Sequence, residues 1–86
     1  MYYIYILLMK DNNFYTGYSN NLKERITNHN LGKVDTTKNK RPLKLIHYEA
    51  YIEKFDAKRR EKFLKSSDGK RFLKQQITIA YNKYHK

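Results

Sequence analysis

The segment Tyr3-Ile4-Tyr5-Ile6-Leu7-Leu8-Met9 is apolar at odd and even positions alike. A strand with one wet face alternates apolar and polar residues, so a strand apolar on both faces needs protein on both sides of it. This one feature makes the N-terminal segment the expected centre of a sheet sandwiched between other elements. The remaining sequence must supply that cover, and only 86 residues are available. That length suits one domain, residues 1–86, with a small core. The chain has no cysteine, so neither disulfides nor a thiolate zinc site can brace it.

Lys10-Asp11-Asn12-Asn13 has turn chemistry, because Asn and Asp tolerate left-handed backbone. Phe14-Tyr15-Thr16-Gly17-Tyr18 is aromatic and β-branched and reads as a returning strand, completing a hairpin. Asn21 with Glu24 is a capping pair that opens a helix to about Asn30, with Leu22 and Ile26 as its apolar stripe and Gly32 past its end. A polar, basic loop reaches Pro42, and a third strand is expected over Leu43–Tyr51. Asp56 is placed as the cap of a second helix through about Lys65. Ser66-Ser67-Asp68-Gly69 reads as a break, and a last helix starts near Lys70 with the stripe Leu73, Ile77, Ala80 and Tyr84. The order β-β-α-β-α-α predicts a small α/β (α+β) fold, a three-stranded antiparallel sheet flanked by helices.

The charge is large and lopsided. Of a net +11, residues 1–31 hold +1 and residues 32–86 hold +10. A concentrated positive field attracts polyanions, nucleic acid first among them. No basic helix carries bulky apolar residues along a whole face, so a membrane surface is not the expected partner. The longest apolar run, Tyr2–Met9, is far shorter than the roughly 20 residues that cross a bilayer. The N-terminus lacks the grammar of a signal peptide. A soluble, cytoplasmic protein is expected.

Glycine-rich phosphate loops, paired-carboxylate motifs and histidine clusters are absent from the sequence. What remains is a set of tyrosines, an arginine and histidine on one helix, and a displaced glutamate. At about 100° per residue, His29 lies beside Leu22 and Arg25 roughly 60° away, so both border the stripe that packs on the sheet. Spaced i, i+4, they project to one place. Glu61 falls between Ala57 and the direction of Leu64, on the side that should face the core. A carboxylate there needs a cation or hydrogen-bond partner, either a neighbouring Arg or Lys or a divalent metal. Whether Tyr5 and Tyr15 share a face depends on the hairpin loop. An even loop pairs Met9 with Phe14 and puts the hydroxyls on opposite faces; an odd or bulged loop brings them together.

Tyr3-Ile4-Tyr5, followed after nine residues by Tyr15-Thr16-Gly17, resembles the paired GIY and YIG strands of the GIY-YIG nucleases. Asn21-Leu22-Lys23-Glu24-Arg25 resembles that family's arginine-bearing helix, and His29 stands where members carry His or Tyr. Residues 57–64, AKRREKFL, are similar to the segment with the metal-binding glutamate. TKNKRPLKLIHYEAY and SDGKRFLK resemble a subgroup of short, single-domain bacterial proteins described as endonucleases or as similar to the nuclease half of the excision-repair incision subunit. The sequence departs from the family pattern at Tyr3, where glycine is frequent, and at Thr16, where Ile is usual. It also has Tyr18-Ser19 where many members have a lysine.

The resemblance implies a GIY-YIG fold and a metal-dependent endonuclease acting on DNA, branched or damaged forms included, as in DNA repair. The alternative is a catalytically inactive nucleic-acid-binding module on the same fold. Glu61 would hold one Mg²⁺ or Mn²⁺ against the scissile phosphate. Arg25 would counter the charge growing on the phosphate. Tyr15, or His29 with it, would orient and deprotonate the attacking water, His29 being the better base on intrinsic grounds. Tyr5 would position the phosphate or its waters, and Gly17 would allow close approach of backbone and substrate. Lys33, Lys38, Lys40, Arg41, Lys58, Arg59 and Arg60 would contact phosphates, which gives affinity without sequence information. A weakly sequence-specific or structure-guided activity is expected, from a monomer or weak dimer using no small-molecule cofactor.

Overall fold

A computed structural model describes residues 1–85. Strand β1 (Tyr2–Leu8) lies between β2 (Phe14–Ser19) and β3 (Lys44–Tyr51), antiparallel to both, so the doubly apolar segment is the central strand. Its two faces have different cover. Ile4, Ile6 and Leu8 join Phe14, Ala57, Leu64 and Leu73 in one core, under helices α2 (Lys54–Lys65) and α3 (Ser67–Gln76). Tyr5, on the opposite face, meets Arg25 and His29 of helix α1 (Leu22–Asn30). Both sets are buried because each faces a helix rather than water.

The hairpin loop is odd. Leu8 pairs with Phe14 and Met9 with Asn13, leaving Lys10, Asp11 and Asn12 as a three-residue turn. Asn12 takes the left-handed conformation, φ 67°, that such a turn requires. This parity carries Tyr5 and Tyr15 to one face, with their rings stacked at 6.3 Å. In β3 the register with β1 shifts between Ile6 and Leu7, a bulge that lets Ile46 turn into the α2-side core.

Helix α1 begins as expected, Asn21 Oδ1 accepting from Glu24 N–H at 3.2 Å. Two boundaries differ from expectation. Helix α2 starts at Lys54, with Glu53 at its cap position, so Asp56 sits inside the first turn, where it pairs with Arg59 rather than capping. Ser66-Ser67-Asp68-Gly69 is no break. Ser66 Oγ accepts from Gly69 N–H at 3.0 Å and caps α3, which therefore begins three residues before Lys70. A Cβ on Gly69 would strike the Phe63 carbonyl, so glycine lets α3 leave α2 at this sharp corner. The last helix is divided at Ile77, and α4 (Thr78–Tyr84) follows. Its core contact comes from Ile77 and Tyr81, the latter edge-on to Phe14 at 5.6 Å, while Tyr84 stays exposed.

Thr16 faces the α2-side core opposite Ile6, where its hydroxyl has no partner among the described residues. Among those residues, no helix is long and apolar enough to cross a membrane.

Candidate active site

Tyr5 is the centre of the site. It lies opposite Gly17 in the sheet, and its ring crosses β2 in the space a Cβ on Gly17 would fill. Gly17 therefore makes room for a tyrosine of its own fold, whereas the sequence reading reserved that space for substrate. The Tyr5 hydroxyl reaches α1, where it is 2.8 Å from His29 Nε2 and accepts from Arg25 Nε at 3.3 Å. Spacing i, i+4 on α1 is what sends both side chains to one phenol. Tyr15, half-buried beside them, places its ring 5.1 Å from that of His29, and its phenol lies close enough to Arg25 to favour the charged guanidinium.

His29 is fully buried, and its other nitrogen lies 2.7 Å from Thr37 Oγ1. Thr37, also fully buried, comes from the basic loop after α1. Burial, then the nearby Arg25 charge, lowers His29 to about 4, so the ring is neutral near pH 7. Its tautomer follows from the donors around it. Arg25 can only donate, so the buried Tyr5 O–H finds its acceptor in Nε2, and Nδ1–H then donates to Thr37. Burial pushes Tyr5 up to about 12 against the opposing Arg25 hydrogen bond, with smaller upward pushes from Tyr15 and Glu61. A reluctant acid thus faces a weak base, and the proton stays on Tyr5. His29 has its lone pair committed inside the fold, which makes it a brace for Tyr5 rather than a base open to solvent water. Thr37 is the member of this chain that sequence reasoning missed, because a threonine in an irregular loop has no periodicity to mark it.

Glu61 belongs to the other layer, on α2. Ala57 and Leu64 on the same helix are fully buried, and the Glu61 side chain is only 15 % exposed. Its oxygens meet Lys65 at 3.1 Å and Lys58 at 3.8 Å, both on α2 itself and both about half exposed. Lys58 Nζ also sits 3.9 Å above the Tyr18 ring, which turns this flank of α2 toward β2. The carboxylate is therefore not consumed by an internal partner, and its charge is felt at Tyr5. Among the described residues no three His, Asp, Glu or Cys side chains cluster to hold a metal. A lone carboxylate still fits Mg²⁺, which commonly uses one or two carboxylates, waters and substrate phosphate.

The expected phosphate-binding residues fall into two groups. Lys33 and Lys38 are exposed, as are Lys58 and Arg59 in their pairs with neighbours on α2. Three others have structural work. Lys40 reaches the hairpin turn at Asp11, 2.9 Å away, and Arg41 Nε donates to the Lys38 carbonyl at 3.0 Å. Arg60 is turned from solvent onto Glu49 of β3, with bonds of 2.9 and 3.2 Å.

Residues 1–75 match the family model described as the GIY-YIG catalytic domain. The chain belongs to the GIY-YIG family. Within it, the chain is 42 % identical over 74 residues to a UPF0213 protein of Staphylococcus haemolyticus, covering 85 % of this chain and 90 % of that one. A UPF0213 protein of Streptococcus agalactiae is 35 % identical over 85 residues, 98 % of this chain and 90 % of its own. The solution NMR structure of a UPF0213 protein from Bacillus halodurans aligns with a TM-score of 0.58 at 35 % identity, covering 88 % and 85 % of the two chains. The GIY-YIG signature thus has a direct meaning here. Its two strands are β1 and β2, and their pairing sets the second tyrosine of the first motif against the glycine of the second.

Proposed function

We propose that this chain is a divalent-metal-dependent endonuclease that cleaves DNA phosphodiester bonds in a structure-guided or weakly sequence-specific way. The observation that carries the reading is the convergence of Tyr5, Tyr15, Arg25 and His29 on one point, with the Glu61 charge within electrostatic reach. Glu61 would hold one Mg²⁺ or Mn²⁺, which when bound supplies Lewis-acid stabilisation of the leaving oxygen. Arg25 faces the phosphate and offsets its developing charge. Tyr5, braced by His29 and Thr37, fixes the Arg25 guanidinium by accepting from Nε. Tyr15, the more accessible phenol, orients the attacking water. Lys33, Lys38, Lys58 and Arg59 guide the backbone.

Nicking of supercoiled and branched DNA, with Mg²⁺ or Mn²⁺ and with a chelator, tests the reading. Glu61→Ala should abolish cleavage and leave DNA affinity within about threefold, since affinity is assigned to the exposed lysines and arginines that contact phosphates rather than to this carboxylate. Equal loss of both would contradict the role given to Glu61. Binding without cleavage by the unaltered protein would support the inactive binding module instead.

A further inference from the structure

Three of the four phenylalanines are exposed: Phe55, Phe63 and Phe72, at 84, 38 and 58 %. Two of them form a unit. Phe63 near the end of α2 and Phe72 on α3 lie 6.1 Å apart, tilted by 39°, so the two rings make a ledge open to solvent. The ledge is supported from below. Arg60 is fixed to Glu49 by two hydrogen bonds and stands 5.5 Å from the Phe63 ring. Gln75 and Gln76 border the same groove and bring amide donors and acceptors to its rim. Arg60 leans toward β3 and its neighbour Glu61 toward β2, so the ledge lies on the flank of α2 away from the candidate active site.

We infer that Phe63 and Phe72 form a stacking platform for unpaired bases of a single-stranded nucleic acid. Charge selects the occupant. Residues 54–76 hold nine basic and three acidic side chains, and the whole chain is +11. A second copy would bring the same positive surface to this patch, whereas a nucleic acid brings phosphates for the cations and flat rings for the phenyls. Duplex DNA hides its base faces within the stack, so the ligand is an unpaired strand, such as a flap or the splayed arm of a branch. A phenyl ring has no donor or acceptor, which makes this contact tolerant of sequence. The inference rests on the proposed function only in taking nucleic acid as the partner; cleavage plays no part in it.

The test is fluorescence anisotropy in a chelating buffer, using labelled oligothymidine of roughly twelve nucleotides, within the usual span of single-strand sites, and a duplex of equal length. Phe63→Leu, Phe72→Leu and the double variant keep apolar bulk but lose the rings, and circular dichroism melts confirm that they fold. The double variant should lose roughly tenfold or more of its oligothymidine affinity with unchanged salt slope, while duplex affinity holds. Unchanged oligothymidine affinity, equal loss on duplex, or no oligothymidine binding by the unaltered protein would overturn the platform. So would sedimentation velocity showing self-association that the ring variants abolish. Ring-dependent binding without metal-dependent nicking would defeat the cleavage reading and leave the platform standing; nicking without ring dependence would do the reverse.

Discussion

At the scale of single residues, the site is a set of buried side chains whose protons are constrained by their surroundings. Gly17 shows how little room is left. A methyl group there would displace the Tyr5 ring. Gly17→Ala should cost about 1–3 kcal/mol in overpacking and slow cleavage about 100-fold, because a small misplacement near reacting groups is that expensive. Urea midpoints and nicking rates measure the two effects, and unchanged values would remove Tyr5 from the mechanism. His29 makes a second prediction. The unfolded chain protonates it near 6.5 and the folded chain near 4. Between those values the unfolded state binds more protons, so stability is full above 6.5 and is lost as pH falls toward 4. The loss is at most about 3 kcal/mol. Urea titrations across that window should show a steeper decline for the unaltered protein than for His29→Gln; parallel declines would mean that burial of His29 is not their source. The convergence of Arg25 and His29 was readable from helical spacing. Thr37, the partner that fixes the histidine, was not, because loop geometry decides where it lands.

At the scale of elements, β3 and α2 are tied together by one carboxylate. Glu49 accepts from Arg60, from Tyr51 at 2.6 Å and, in the orientation where the imidazole donates, from His47 at 2.9 Å. Burial alone would raise Glu49, but the hydrogen bonds from Arg60, Tyr51 and His47 overcome it and hold the carboxyl below its ordinary range. Tyr51 is pushed up to about 12, by burial first and then by this carboxylate. Glu49→Ala should cost about 2 kcal/mol, the scale of a hydrogen bond to a charged group, and Arg60→Ala should add little to it. Additive losses in a double-mutant cycle would show that the two do not act as a pair. Strand and helix identities were legible because a short apolar run bounded by turn residues, as in Tyr3–Met9, differs so clearly from the 3.6-residue spacing around Leu22 and Ile26. Boundaries were harder where one chemistry serves two ends. Ser66 and Gly69 read equally well as a breaker or as a cap with a close-packing glycine, and packing against Phe63 decides for the second. Arg60 looked like a phosphate contact because its pairing with Glu49, eleven residues away in β3, leaves no local signal.

At the scale of the whole molecule, the candidate site and a positive surface are carried by a structure with a radius of gyration of 12.4 Å. Much of the net +11 comes from exposed lysines and arginines outside the site. Affinity for duplex DNA should therefore fall linearly with log salt concentration. Six or more phosphate contacts would cost roughly a thousandfold between 50 and 200 mM salt. Titrations with a labelled duplex give the slope, and a flat response would rule out phosphate contact as the main source of affinity. Membership of the GIY-YIG family was accessible from five short matches in the right order, since together they span the sheet, the first helix and α2. The balance of positive charge was equally plain. Its division into cations that face solvent and cations that staple loops together depended on contacts such as Lys40 with Asp11.

The three-residue turn at Lys10–Asn12 imposes a rule on how the gene can change. Adding or deleting a single codon there shifts every later residue of the second strand by one place, so that Tyr15 trades faces with Thr16 and the phenol is exiled to the far side of the sheet. Changes of two codons restore the alternation. The tip lies apart from the candidate site, yet it should accept length variation only in pairs.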